Sequence, residues 1–273
     1  MNSNKTQDAS NATYTMGYSD DFQKLLRRRN AQTSAAHLLP YLEPGMRVLD
    51  FGCGPGTISV GLAKAVEPRE LFGIDMEASQ IEIAQAAAEA GGHRNATFQT
   101  ADVTDLPFED DSFDVAHCHA VLMHAPDTVA VLTEVRRVLK PGGIISSREM
   151  FVDSSFLEPS MRDGWETFAK LIGANGGHPQ IGRELKRLFI EAGFRDISAS
   201  VSFEPFSTDE DIDFLHGFIS AWFFSPATTE AATKYYGIAT REQFDGWRRE
   251  LDEWRDTPGA LAAFAWGEAI GRK

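Results

Sequence analysis

Three carboxylates and a cluster of glycines carry the chemistry legible in this sequence. Asp50 precedes the run Gly52-Cys53-Gly54-Pro55-Gly56, Asp75 stands nineteen residues beyond Gly56, and Asp102-Val103 follows a third apolar stretch. Glycines permit positive φ angles and let a ligand approach the backbone closely. A carboxylate at position 75 can accept both hydroxyls of a ribose. Asp102 can accept from an adenine amino group, and the Val103 amide can donate to a ring nitrogen. A dinucleotide site uses a comparable acid, but its fingerprint is Gly-x-Gly-x-x-Gly. Here the glycines fall at 52, 54 and 56 with Pro55 inserted, and Asp50 would repel a pyrophosphate. An acid there suits a ligand with a positive amino group.

These residues need elements that end beside one another. The patterning predicts strands at 46–51, 70–74, 96–100, 112–118 and 144–149, separated by helices at 57–66, 79–90 and 127–139. Such alternation marks a doubly wound α/β sheet, because each helix returns the chain so that the next strand pairs in parallel. Ligands bind beyond the carboxyl ends of such strands, where the candidate residues lie. Beyond Met150 the pattern loosens. A helix is expected at 182–192, a strand at 195–203, a largely helical stretch at 208–257 and a last strand at 262–271. Before the first strand, apolar residues at helical spacing between 19 and 42 predict one or two capping helices. The whole chain reads as one domain: tail and cap at 1–43, cofactor-binding core at 44–150, late core at 151–206, a helical lid insertion at 207–260 and the last strand at 261–273.

Composition limits the partners. The 273 residues carry a net charge of −14 and 42% hydrophobic residues, the make-up of a folded globular chain. An acidic surface without a basic stripe disfavours nucleic acid and anionic membranes. No apolar run approaches a membrane span, which speaks against membrane insertion. Two cysteines without paired spacing, Cys53 and Cys118, fit a reducing cytoplasm and a role as buried fillers. Small molecules or other proteins remain as partners. Homo-oligomerisation is left open, with the N-terminal segment free to exchange between subunits.

Four segments then carry a family resemblance: Val48-Leu49-Asp50-Phe51-Gly52-Cys53-Gly54-Pro55-Gly56, Gly73-Ile74-Asp75-Met76, Ala101-Asp102-Val103-Thr104-Asp105-Leu106-Pro107-Phe108 and Leu139-Lys140-Pro141-Gly142-Gly143. In order and interval they resemble the motifs of class I S-adenosylmethionine-dependent methyltransferases. The branch they are most similar to acts on ubiquinone and menaquinone precursors and on small molecules of secondary metabolism. The resemblance covers about residues 46–150. It implies a Rossmann-like seven-stranded sheet, mostly parallel with an antiparallel last strand, and S-adenosyl-L-methionine as cofactor. It further implies that the loop with Gly52 and Gly54 passes under the methionine part, Asp75 holds the ribose backed by Gln80, and Met76 packs on adenine. Asp102 and Val103 would bind the adenine edge, and His119 would lie beside the sulfonium. Tyr14, Tyr18 and Arg29 resemble the aromatic and basic residues that related enzymes bring over the cofactor, an arginine being a natural partner for its carboxylate.

Methyl transfer from a sulfonium is an in-line displacement that asks mainly for alignment. No metal is required, and no acid–histidine cluster suggests one. Where the acceptor is a phenol, enol or amine a base helps. His124, after the fourth strand, is the first candidate and His178 the second. Phe151, Trp165, Phe168, Phe218, Trp222, Phe223 and Phe224 are candidates to line an apolar acceptor pocket under the lid. Two other readings are weighed: a non-catalytic S-adenosylmethionine-binding regulator, and an NAD-dependent oxidoreductase. The intact acids count against the first, and Pro55 with Asp50 against the second.

Overall fold

A computed structural model describes residues 20–158 and 161–273. The cap comprises α1 (Asp20–Arg28) and α2 (Ala31–Ser34). The core then alternates β1 (Val48–Phe51), α3 (Ser59–Ala65), β2 (Leu71–Asp75), α4 (Ala78–Gly91), β3 (Ala96–Thr100), β4 (Phe113–His119), α5 (Thr128–Val138) and β5 (Leu139–Met150). The second half adds β6 (Phe156–Glu158), α6 (Arg162–Ala174), α7 (Leu185–Glu191), β7 (Arg195–Phe206), α8 (Asp209–Trp222), α9 (Pro226–Glu230), α10 (Arg241–Asp256) and β8 (Leu261–Arg272). Local chemistry sets the helix starts. Asp127 accepts from the Ala130 amide ahead of α5, and capping boxes Thr208/Asp211 and Thr240/Gln243 open α8 and α10.

The strands form one sheet in the order β3-β2-β1-β4-β5-β8, with β7 on the far edge of β8. Strands β1 to β5 pair in parallel, and β8 runs antiparallel to β5, β6 and β7. Ala262 and Ala263 pair with both β6 and β7, so the three-residue β6 lies on the edge of β8 that β5 occupies further along. The sheet therefore has seven lanes, as the family resemblance implies, with β6 resuming the lane of β5. β1, whose four residues are all buried, sits in the middle of the parallel half. Such strands read as continuous apolar runs because both faces are covered.

The expected helix at 182–192 is shorter, α7, and is preceded by a 3-10 turn at Ile181–Arg183. The thirteen-residue α6 has no counterpart in the sequence reading. Gly164 and Gly173 interrupt its pattern, yet Trp165, Phe168, Leu171 and Ile172 form a buried face. Between β7 and β8 the chain runs through α8, α9, a π-helical turn at Ala231–Tyr235 and α10. Phe223 stacks on Phe244 with centroids 5.2 Å apart, and Phe244 meets Trp247 edge-on, also at 5.2 Å, so this layer has its own aromatic core.

Candidate active site

The loop after β1 is clamped to the end of β2. The Gly52 and Cys53 amides both donate to the Ile74 carbonyl, at 2.7 and 2.9 Å. Gly52 adopts φ +71°, and a Cβ there would lie 2.3 Å from a Val121 methyl, so the loop after β4 can press against it only because the position is glycine. Gly54, at φ +53°, has nothing within 4 Å of the place a Cβ would take. Its amide donates to Oδ2 of Asp75 at 3.0 Å, while the Glu77 amide donates to Oδ1 at 3.0 Å. The carboxylate is thus fixed at the mouth of an open cradle. Burial raises its pKa against these amide bonds.

The other sequence candidates fall around this point. Met76, next to Asp75 at the end of β2, is 76% exposed. Gln80 is buried with its Oε1 unpartnered among the described residues. Asp102 is exposed and accepts from the Thr104 amide at 2.8 Å and hydroxyl at 2.7 Å, beside the half-buried Val103. Asp50 faces inward instead: its buried carboxylate accepts from the Ser59 hydroxyl of α3, and burial pushes its pKa up to about 7. It backs the loop rather than presenting an acid to a ligand. Tyr14 and Tyr18 lie outside the described residues.

The loop after β4 is held by a residue to which the sequence reading assigned no role. Glu149, on β5 and fully buried, accepts from the Val121 and Leu122 amides at 2.9 and 2.8 Å and from the Met123 amide at 3.2 Å. Burial still lifts its pKa to about 7. No local motif announces this, because the partners are backbone amides 26 to 28 positions away in sequence. The same loop carries Ala120 at φ +57° and His124.

Beyond that loop opens a pocket of about 520 Å³, a volume that includes solvent at its mouth. Phe22, Leu25 and Arg29 reach it from the cap, and Ala120, Met123 and His124 from the loop after β4. Aromatic rings of α6, α8 and β8 close it, with Trp222 edge-on to Phe168 at 4.8 Å. Of the expected lining, Trp165, Phe168, Phe218 and Trp222 face the cavity. Phe223 and Phe224 turn into the lid's own core, and Phe151 packs beneath Arg183.

The histidines separate. His124 lines the cavity, and burial with the Arg29 charge lowers its pKa to about 4. His119 lies behind it, buried, with its ring 4.6 Å from that of Trp266 and its Nδ1 3.3 Å from the Arg148 carbonyl. Burial and the Arg29 charge hold its pKa well below 6.5. His178 is exposed and is not part of the cavity wall; its amide donates to the Met123 carbonyl at 2.7 Å. The structure thus places His178 as a backbone brace of the loop and not beside the reacting centre.

A family described as a methyltransferase domain matches residues 42–193, more than half of the chain. The chain belongs to this family. It is a class I S-adenosylmethionine-dependent methyltransferase. Over 192 residues it is 32% identical to an uncharacterized methyltransferase of Schizosaccharomyces pombe, covering 67% of this chain and 69% of that one. Over 183 residues it is 28% identical to a demethylmenaquinone methyltransferase of Bacillus pumilus, covering 61% of this chain and 76% of that one. Several other curated relatives are matched over about half of their length. Among solved structures the YcgJ protein of Bacillus subtilis is similar in fold, with a TM-score of 0.61 at 21% identity over 89% of this chain and 98% of that one.

The residues on this side of the methyltransferase fit the cofactor. The open cradle over Gly54, the fixed Asp75 carboxylate, the unpartnered Gln80 oxygen and the exposed Met76 are what a ribose and an adenine would complete. When bound, S-adenosylmethionine supplies a methyl group activated by its positive sulfur.

Proposed function

We propose that this methyltransferase moves a methyl group to a small, largely apolar or aromatic organic acceptor, of the kind found in quinone-type or secondary metabolism. The observation that carries the reading is the aromatic cavity that opens at Ala120 and His124, on the loop that Gly52 admits beside the cofactor cradle. A relative named demethylmenaquinone methyltransferase supports an aromatic acceptor.

The chain's part is placement. The rings of Trp165, Phe168, Phe218 and Trp222 hold the acceptor's apolar body and exclude water. His124, neutral at pH 7, can hold a hydrogen bond to the acceptor's polar atom, but with a pKa near 4 it takes a proton poorly. His178 lies off the cavity, so the base role considered for it has no geometric support. Calorimetry tests the reading: S-adenosylmethionine should bind the wild type, and Asp75→Ala should weaken it at least tenfold. Undiminished binding to Asp75→Ala would remove the cofactor assignment. Turnover confined to polar amines would remove the acceptor class.

A further inference from the structure

β3 and β4 are joined without a helix. The connection, residues 101–112, holds the motif run from Ala101 to Phe108 and makes few backbone bonds of its own: the Asp105 amide donates to the Asp102 carbonyl at 3.2 Å and the Phe108 amide to the Leu106 carbonyl at 2.8 Å. Asp102 accepts from Thr104 through Oδ1 alone, so Oδ2 stays open to a ligand. The start of the connection is tied to the cofactor cradle, because the Ala101 amide donates to the Asp75 carbonyl at 3.1 Å.

Further along, the connection hangs on α5. Buried Leu106 is gripped twice: its amide donates to Oε1 of Glu134 at 2.9 Å, and its carbonyl accepts from Nη2 of Arg137 at 3.1 Å. Nη1 of Arg137 donates to the Phe108 carbonyl at 2.9 Å and to Oδ1 of Asp110 at 2.7 Å. Its Nε and Nη2 close a two-point pair with Glu134, at 2.9 and 2.7 Å, from a position three residues on along the same helix face. A guanidinium carries five N–H groups, and these bonds use every one of them.

We infer that Arg137, backed by Glu134, is a positioning residue for adenine recognition: it fixes where Asp102 and Val103 stand, a role that rests on those two residues meeting the base as the family resemblance implies. A carboxylate accepts well from an amino group only near about 3 Å and over a limited range of directions, so the residue that reads the base must be held still. A connection of this length without helix or strand does not hold itself, because ordering it costs backbone entropy that its own few bonds do not offset. Asp102 lies between the Ala101 tie and the Leu106 clamp. Removing the clamp frees the base-reading pair, while Asp75 keeps its place on the Gly54 and Glu77 amides. Base recognition and ribose recognition therefore come apart. Lysine does not substitute fully, since an ammonium has three donors and no planar fork.

Calorimetry on the full chain tests this with S-adenosylhomocysteine, its hypoxanthine counterpart S-inosylhomocysteine, and 2′-deoxy-S-adenosylhomocysteine. In the wild type, hypoxanthine should bind at least tenfold more weakly than adenine, because a carbonyl then faces Asp102 and the ring nitrogen facing the Val103 amide gains a hydrogen. Arg137→Met should shrink this base ratio at least threefold and leave the ratio of ribose to 2′-deoxyribose binding within twofold of wild type. Arg137→Lys should fall between the two. Glu134→Gln, a milder change, should lower the base ratio at least twofold, and it supplies the reading should Arg137→Met not fold. A base ratio unmoved in Arg137→Met, or in Glu134→Gln where only that variant folds, overturns the inference. Equal binding of the two bases by the wild type also overturns it, as does an equal fall of both ratios, which marks general damage to the cradle. S-adenosylhomocysteine failing to bind the wild type would overturn the cofactor reading and the inference with it, a result distinct from an unmoved ratio.

Discussion

Glu149 shows how one side chain can set a loop. Its two oxygens accept three consecutive amides, Val121 and Leu122 on one oxygen and Met123 on the other. Glu149→Gln keeps the size but turns one oxygen into an NH2 group, which would face at least one amide hydrogen. The loop bearing Ala120 and His124 should loosen as a result. We expect kcat to fall tenfold or more with S-adenosylhomocysteine affinity within threefold, read by single-turnover kinetics and calorimetry. A variant with wild-type kcat would show that the loop needs no such anchor. Positions like this one escape sequence reading because a glutamate on a buried strand announces a cost and not its partner. Asp75 was legible for the opposite reason: it ends a strand at a fixed distance from a glycine loop.

At the scale of elements, the cavity is a joint between α1 and α8. Phe22 and Phe218 meet with centroids 6.3 Å apart, Arg28 pairs with Asp211, and Arg28 also stands 4.3 Å over the Phe214 ring. Cap and lid thus hold one another. Phe218→Ala should destabilise the protein toward the low end of about 3–5 kcal/mol, since one side of the ring already borders empty space. It should raise KM for apolar acceptors several-fold and leave cofactor affinity unchanged; urea melts and steady-state kinetics measure both, and an unaltered KM would take α8 out of the acceptor site. The strands and crossover helices of the cofactor half were legible because alternation, glycine turns and apolar runs agree there. The lid was legible as helical but not in its facing. Whether Phe218 or Phe223 meets the cavity depends on the rotation of α8 against α1 and α10, which no local pattern records. The short α6, broken by two glycines, stayed hidden for want of periodicity.

The molecule as a whole carries buried titratable groups that pull against each other. Burial lowers His37 and His124 to about 4 and His117 to about 3, and lifts Asp50 and Glu149 to about 7. A histidine depressed in the folded state contributes stability that is complete above its unfolded pKa near 6.5 and lost as pH falls toward the folded value. The raised carboxyls act the other way: their contribution is present below about pH 4 and lost as pH rises through 7. His119 is also held low and Asp75 is also raised, so between pH 5 and 6.5 four histidines stand against three acids and stability should rise with pH. His117→Phe should remove about one proton from that slope. From pH 5 to 6.5 the variant should gain about 2 kcal/mol less than the wild type, at roughly 1.4 kcal/mol per pH unit. Urea midpoints at the two pH values check this, and parallel slopes would show that His117 titrates normally.

The place of β8 has a consequence for how the protein is made. This last strand lies between β5 and β7, and it supplies Phe264 and Trp266 to a cavity whose opposite wall comes from α1. A chain emerging from a ribosome can assemble β1 to β5 as they appear, each pairing with a strand already present. The acceptor pocket cannot close until residue 272 is free, because both edges of β8 must be filled and its partners lie up to 128 positions away. Contacts of such separation form slowly. Nascent protein would accordingly present a finished cofactor cradle before it has anywhere to put an acceptor. Truncation from the C-terminal side should therefore abolish transfer well before it abolishes nucleoside binding.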